Sequence, residues 1–521
     1  MSPLATSSQP LLSRRVSKLQ TRVGGTPRPF WDCRLDRTEL WLLAGVIGSA
    51  VLLHLGPVLH SPLGVPLLYL LAVAAYLSPV SGFLFIACGQ FLPFPETSPH
   101  NPAQVGVLVW LPVVLVRYHR VNLANIGRLW PVLPFLVWFM MLTQESVFSP
   151  SSEYMKALFY CVIACQLANE AKGQYLKCLF GLCLGALLVM VAYWAQQIGL
   201  PIEVSDWGGE REGYARMGSV RADSVMVWPA LLFGVSGLLG IQLAFASKAA
   251  PHSSPKWLTH ATIILTLATL PPLISTMCNG AIAGLVLVAG AFAGAFWITA
   301  QGVAAGDPRF RQLLLWGKIA CVGVVLMFLL DAFEVRSRVL ALDRFHKQQT
   351  QEFGSATASR SGVWRDSLNT IMKYPVFGIR VTGEKEEITS EYAEAGGYLS
   401  HNVFLDYGRY VGIPGILLLG FFFFWPAIRM CQAGDFVRFL PFLLAHFAMF
   451  IFWMSLSFQF YKTFWALWML MAMAVIPGAA RMRNHPRKSR NRIKAGPTTL
   501  ITSLTPRPVV SRVPGGPRSA V

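Results

Sequence analysis

Charge is what this 521-residue chain has little of: 13% of its residues are Asp, Glu, Lys or Arg, against 54% hydrophobic, about half the charged fraction of an ordinary soluble domain. That balance excludes a soluble enzyme. Ionisable groups are scarcest in the centres of the apolar runs. An ion- or proton-coupled transporter would keep some there, because a charge at that depth is costly and is retained for use. Cysteine is sparse as well, nine in all and none between residues 334 and 402, so no disulfide can staple that stretch. No His, Cys and carboxylate spacing fits a zinc site, and neither a metal nor a cofactor is expected. Ahead of the first long run there is no short apolar stretch with a small-residue cleavage site, so no cleaved signal peptide is expected.

What the chain has in quantity is apolar runs. About fourteen can be read, at roughly 39–56, 62–78, 81–95, 104–116, 129–143, 154–168, 175–199, 223–246, 257–275, 278–300, 312–333, 403–428, 437–456 and 460–477. A helix needs roughly 20 apolar residues to cross a bilayer, and several of these runs are short or merge. The expected fold is therefore all-α: a polytopic transmembrane helical bundle of about 12–14 spans, with a large outer loop containing short helices. Of the net charge of +19, residues 1–38 carry +5 and residues 478–521 carry +10. Basic flanks stay on the cytoplasmic side and lie against anionic lipids. Few aromatics accompany them for base stacking, so membrane lipids and no nucleic acid are the expected contacts. An even span count puts both termini in the cytoplasm. The same side then receives Arg117, Arg120, Arg128, Lys172, Lys177, Lys248, Lys256, Arg309, Arg311, Arg429 and Arg438.

The chain thus divides into a basic cytoplasmic arm (1–38), spans with an outer loop near 200–222 (39–333), a large outer loop (334–402), C-terminal spans (403–477) and a basic, disordered cytoplasmic tail (478–521). Residues 334–402 hold nine acidic and nine basic residues, and so long a loop is uncommon without a function. Within it Val363, Trp364, Leu368, Ile371 and Met372 share a helical face, with Ser359 or Ser361 available as a cap and Pro375 ending the run. Such a helix lies on the outer surface or roofs a cavity. Gly290 and Gly294 form a GxxxG pair, a helix-packing signal.

Candidate chemistry gathers at the outer ends. Arg216 and Arg360 could clamp a diphosphate with planar, permanently charged forks; each also reads as a solvated or headgroup-contacting surface charge. His401 stands where the long loop enters a span. An imidazole with an unperturbed pKa near 6.5 can accept a proton from a hydroxyl, and an interfacial or capping histidine is the other reading. Asn402, Asp406 and Arg409 follow as supporting residues, the last two able to pair with each other or to support His401. Tyr407 to Gly415 interrupts the span with Gly and Pro, permitting a kink or close approach.

The order Ser359-Arg360-Ser361-Gly362-Val363-Trp364, then Tyr374-Pro375-Val376-Phe377-Gly378, then His401-Asn402-Val403-Phe404-Leu405 and Gly412-Ile413-Pro414-Gly415 resembles the O-antigen ligase and polymerase superfamily of polytopic bacterial inner-membrane glycosyltransferases. The resemblance is strongest over about 355–420. It implies a metal-independent, inverting transfer on the periplasmic side, from a polyprenyl-diphosphate-linked glycan donor to a glycan, lipid A-core or protein acceptor. Arg360 matches the family's loop arginine, His401 its catalytic histidine and Arg216 its earlier periplasmic arginine, with Arg221 the competing assignment. The chain departs from the pattern at Cys278-Asn279-Gly280, where many members have Ser-Arg-Gly. The competing readings are a flippase or transporter of lipid-linked saccharides, a small-solute transporter and a noncatalytic scaffold.

On this reading His401→Ala lowers glycan transfer by about 10²-fold or more while membrane insertion is unchanged, and Arg360→Lys, which keeps charge but loses the fork, lowers it by a similar factor of about 10². Both are read as product formed by purified variants; normal transfer by both contradicts the assignment.

Overall fold

The computed structural model describes residues 30–54, 64–75, 78–91, 171–200 except 172, 210–215 except 212 and 213, 224–247, 250–301 except 251, 306–353, 358–379, 400–433, 436–455 and 462–483, with a few single positions between 101 and 170. The chain divides into a unit over Met1–Gly478 and a tail over Ala479–Val521; of the tail, only the end of the last helix is described. The expected runs at 104–116, 129–143 and 154–168 fall almost wholly outside the described residues.

The described elements are helices α1 (Arg37–His54), α2 (Gly64–Ala75), α3 (Pro79–Phe91), α4 (Tyr175–Leu187) and α5 (Met190–Gln197), then a hairpin of β1 (Glu210–Arg211) and β2 (Tyr214–Ala215). There follow α6 (Ser224–Ala246), α7 (Lys256–Ser275), α8 (Asn279–Gln301), α9 (Pro308–Leu329), α10 (Val335–Phe353), α11 (Ala358–Lys373), α12 (Val403–Gln432), α13 (Phe436–Ser455) and α14 (Lys462–Arg483). Six helices, α6 to α9, α12 and α13, are long and apolar enough to cross a membrane, or seven spans if the pair α4 and α5, bent by 42°, counts as one. The fold is an all-α polytopic helical bundle. The run read as continuous over 175–199 is broken at Leu188–Val189.

Helix α6 is the centre. It is apolar on every side, the pattern of a helix surrounded by others, and 94% of its apolar window is buried. It packs chiefly against α13 and α4, then α8 and α7. Glycine at every third position admits these neighbours: a Cβ on Gly234 would sit 2.5 Å from Leu187 and one on Gly240 2.6 Å from the Pro441 backbone, while one on Gly237 would strike Cys183. The GxxxG pair expected to pack does not. Gly290 and Gly294 lie on α8 with nothing within 4 Å of a built Cβ, because their shared face points out of the bundle. No residue of α9 is buried, as suits a helix at the edge of the bundle.

The two ends of the bundle differ. At one, Trp228 meets Phe452 at 6.2 Å between ring centroids, and Asn402 Nδ2 lies 3.9 Å from Met454 Sδ. At the other, Leu243 clusters with Ala295 and Leu440, Trp31 packs 5.5 Å from Phe245, and the Arg438 guanidinium lies 4.0 Å over Phe30. Phe30 and Trp31 and the His401 turn therefore occupy opposite ends. Lys177, expected on a connection, is instead in the first turn of α4 and fully buried, its Nζ 2.6 Å from Glu39 Oε2 and 3.4 Å from Asp36 Oδ2. The Ser78 hydroxyl donates to Glu39 Oε1 at 3.0 Å. A buried ion pair is tolerated when its partners are so satisfied, and losing one partner strands a charge. Burial, reinforced by Asp32, pushes the nearby Cys33 thiol well above its ordinary range.

Gly240→Val should therefore destabilise the bundle by about 1–3 kcal/mol through overpacking against fixed backbone, whereas Gly290→Val and Gly294→Val leave stability unchanged. Thermal melts of the detergent-purified variants measure the contrast; equal losses in all three contradict it.

Candidate active site

Helix α11 forms inside the long loop and ends at Lys373, two residues before Pro375, as a proline that cannot continue a helix dictates. Two expectations about it are corrected. Ser359 and Ser361 are within the helix, which already includes Ala358, so neither is its cap. The face turned to the bundle runs through Val363 and Trp364, Ser367 and Ile371, one turn apart, while Leu368 and Met372 are exposed. Leu368 and Met372, with Val376 and Phe377, instead form an exposed apolar edge.

The loop docks on α12 where that helix breaks. Gly412 has φ 73 and ψ −176, a backbone state reserved for glycine. In an unbroken helix the Ile413 N–H would reach back to the Arg409 carbonyl. Here it donates to the Pro375 carbonyl at 2.7 Å, and the Arg409 carbonyl accepts the Ile379 N–H at 2.8 Å. One helical bond is exchanged for two that join loop to span. Gly378 completes the contact at φ 64, where a Cβ would lie 2.5 Å from the Arg409 and Tyr410 carbonyl oxygens. Beneath the junction, Trp138 Nε1 donates to the Val411 carbonyl at 2.9 Å and its ring stacks on Phe377 at 5.9 Å.

The turn entering α12 is held from several directions. Trp364 Nε1 donates to the Ser400 carbonyl at 2.8 Å. The Ser400 N–H donates to Asp406 Oδ1 at 2.8 Å, and its hydroxyl to the Asn402 carbonyl at 3.0 Å. Asn402 is the N-cap of α12, its Oδ1 accepting the N–H groups of Phe404 at 3.0 Å and Leu405 at 3.3 Å, which satisfies donors that a helix start would otherwise strand. Between these fixed neighbours His401 is exposed, at φ 53. A non-glycine residue in the left-handed region persists where its surroundings over-determine it, and such residues cluster at functional sites. The capping role thus belongs to Asn402, and Asp406 supports the turn through Ser400. Arg409 is buried, with its carbonyl in the loop junction.

The structure sets Trp364 of α11 against the turn that carries His401. Arg360 is in the first turn of α11, four residues before Trp364, and positions so spaced are neighbours on one helix face; its side chain lies outside the described residues. So do Arg216 and Arg221 altogether. The described hairpin stops at Ala215, where Tyr214 packs beside Met277, Ala341 and Leu342 with the Arg338 guanidinium 5.1 Å from its ring. At the start of α10, hydrogen bonds from the Ser337 hydroxyl and N–H hold the Asp331 carboxyl below the usual range. Asn279 opens α8 two residues after Met277, which has φ 51. The Gly and Pro residues of Tyr407 to Gly415 signal the break in the span, which falls at Gly412; Ser400 and the exchange of bonds with Pro375 and Ile379 are what sequence reasoning missed.

These features define a polytopic helical-bundle membrane protein in which a loop helix is docked over the start of a broken span. Residues 261–420 match the family model described as O-Antigen ligase, a stretch from α7 through the Gly412 break, and the match supports the O-antigen ligase superfamily for this chain. In general terms it supports a membrane role in glycan transfer of the ligase or polymerase kind. No curated protein matches the chain.

Trp364→Phe, which keeps the ring and loses the N–H, costs the turn about 1 kcal/mol. Amide hydrogen exchange over 400–406 then speeds by about fivefold, and an unchanged rate contradicts the pinning.

Proposed function

We propose that the chain moves a glycan from a polyprenyl-diphosphate donor to an acceptor hydroxyl at the membrane end that carries His401, the periplasmic side of an inner membrane with both termini in the cytoplasm. The observation that carries this reading is the exposed His401 on a turn pinned by Trp364, Asp406 and Asn402, with Arg360 one helical turn from Trp364. A base held this rigidly needs little reorganisation to meet a bound hydroxyl.

In this mechanism Arg360 and Arg216, or Arg221 in its stead, hold the diphosphate oxygens. The acceptor hydroxyl gives its proton to His401 as its oxygen attacks the anomeric carbon. The bond from that carbon to the diphosphate oxygen breaks with inversion, and the arginines stabilise the charge growing on the leaving polyprenyl diphosphate. A guanidinium cannot lose its proton, so the leaving group departs as an anion held by fixed positive charge. The exposed apolar edge of Leu368, Met372, Val376 and Phe377 suits a loop resting at the bilayer surface, level with a donor whose diphosphate sits among headgroups.

The test is transfer by purified protein in detergent and EDTA, from a polyprenyl-diphosphate oligosaccharide to lipid A-core, to a second lipid-linked glycan or to a peptide. Product on one acceptor, lost in His401→Ala, is expected and names the ligase, polymerase or protein-modifying kind. Donor bound by folded protein with no product on any acceptor contradicts the proposal and favours translocation of lipid-linked saccharides.

A further inference from the structure

At the end of the bundle opposite His401, residues of α6, of the start of α7 and of the start of α9 line a shallow open cleft. We propose that it binds the phosphate of an anionic phospholipid headgroup.

Arg309 is the anchor. Its Nη1 donates to the carbonyls of Ala250 at 2.8 Å and Ser247 at 3.4 Å, so one corner of the guanidinium is anchored on the turn. Among the described residues its Nε and Nη2 donate to nothing and no carboxylate pairs with it. Asp307 caps α9 by accepting the Arg309 N–H at 2.9 Å. Lys256 and Arg311, both exposed, are close in sequence to the lining residues Ser254, Arg309 and Gln312. A preset guanidinium with unspent donors suits phosphate oxygens in a way a mobile ammonium does not.

The wall opposite is polar where an apolar span would ordinarily have no such groups. Gln242 is buried in α6, with its Nε2 donating to Thr262 Oγ1 at 3.1 Å and its Oε1 accepting from Thr259 Oγ1 at 3.2 Å. Thr259 also lies 3.2 Å from Ser254 Oγ. Each of these polar groups is satisfied by another, so the wall is built and not left over. Gln312, half-buried and also lining the cleft, adds amide donors from α9.

The choice of a lipid over a free ion rests on what adjoins the cleft. Leu313 forms part of its wall, and α9 continues with exposed Leu314, Leu315 and Val322 and no buried residue along its length. A phosphate seated on Arg309 would have its acyl chains against that helix. Basic pockets between span ends are the usual seats of anionic lipids.

The experiment uses full-length protein in zwitterionic nanodiscs or detergent, with phosphatidylglycerol, phosphatidylcholine or inorganic phosphate added, read as the shift in melting temperature and as lipid retained in native mass spectrometry. Phosphatidylglycerol alone should raise the melting temperature and stay bound. Gln312→Glu sets a carboxylate in the cleft without disturbing the Arg309 carbonyl bonds. It should melt as wild type in phosphatidylcholine and bind phosphatidylglycerol about tenfold more weakly, a loss of roughly 1.4 kcal/mol. Arg309→Lys, which keeps the charge and loses the fork, should weaken binding in the same direction. Equal stabilisation of wild type and Gln312→Glu, no retention by wild type, or full stabilisation by inorganic phosphate alone would overturn the proposal.

Discussion

One hydrogen bond withheld from a helix organises the candidate active site. At Gly412 the backbone leaves helical geometry, and the Arg409 carbonyl and Ile413 N–H, which an intact helix would join, turn to Ile379 and Pro375. In a membrane an unsatisfied backbone group costs several kcal/mol, so a broken span survives only if other protein groups take up what is freed. The turn after α11 supplies both partners. Helix α11 is fixed by that turn at its end and by the Trp364 bond to Ser400 in its middle, and Arg360 lies one turn before Trp364. Loop placement and span geometry are thus one arrangement, and His401 is its exposed apex.

The remainder of the bundle gives this arrangement a fixed base. Asn402 reaches Met454 at the end of α13, α13 packs along α6, and the glycines of α6 bring α4 and α13 to backbone contact distance. At the far end the Lys177–Glu39 pair joins α4 to α1. The candidate site at His401 and the cleft at Arg309 thus lie at opposite ends of the same central helix.

Much of this was legible in the sequence and some was not, for definable reasons. The runs at 223–246, 257–275, 278–300 and 437–456 correspond within a few residues to α6, α7, α8 and α13, because the bilayer's length requirement is written into contiguous composition. The helix in the loop was legible from its spacing and from Pro375. Which of its faces is buried was not: Val363, Trp364, Leu368, Ile371 and Met372 make a broad stripe, and only contact with Ser400 and α12 selects the side. Gly290 and Gly294 show the same limit, since their spacing says that they share a face and not where the face points. The bonds from Trp364 to Ser400 and from Ile413 to Pro375 join residues 36 and 38 positions apart, and no local pattern encodes such pairs. Arg216 and Arg221 stay proposals on sequence grounds, outside the described residues.

The most direct measurement is photocrosslinking of the purified protein with a polyprenyl-diphosphate glycan bearing a photoreactive group next to the diphosphate, with the labelled peptides located by mass spectrometry. The account predicts label on α11 near Arg360 and on the turn around His401. Label confined to the opposite end of the bundle, with both of those segments unmarked, would contradict it.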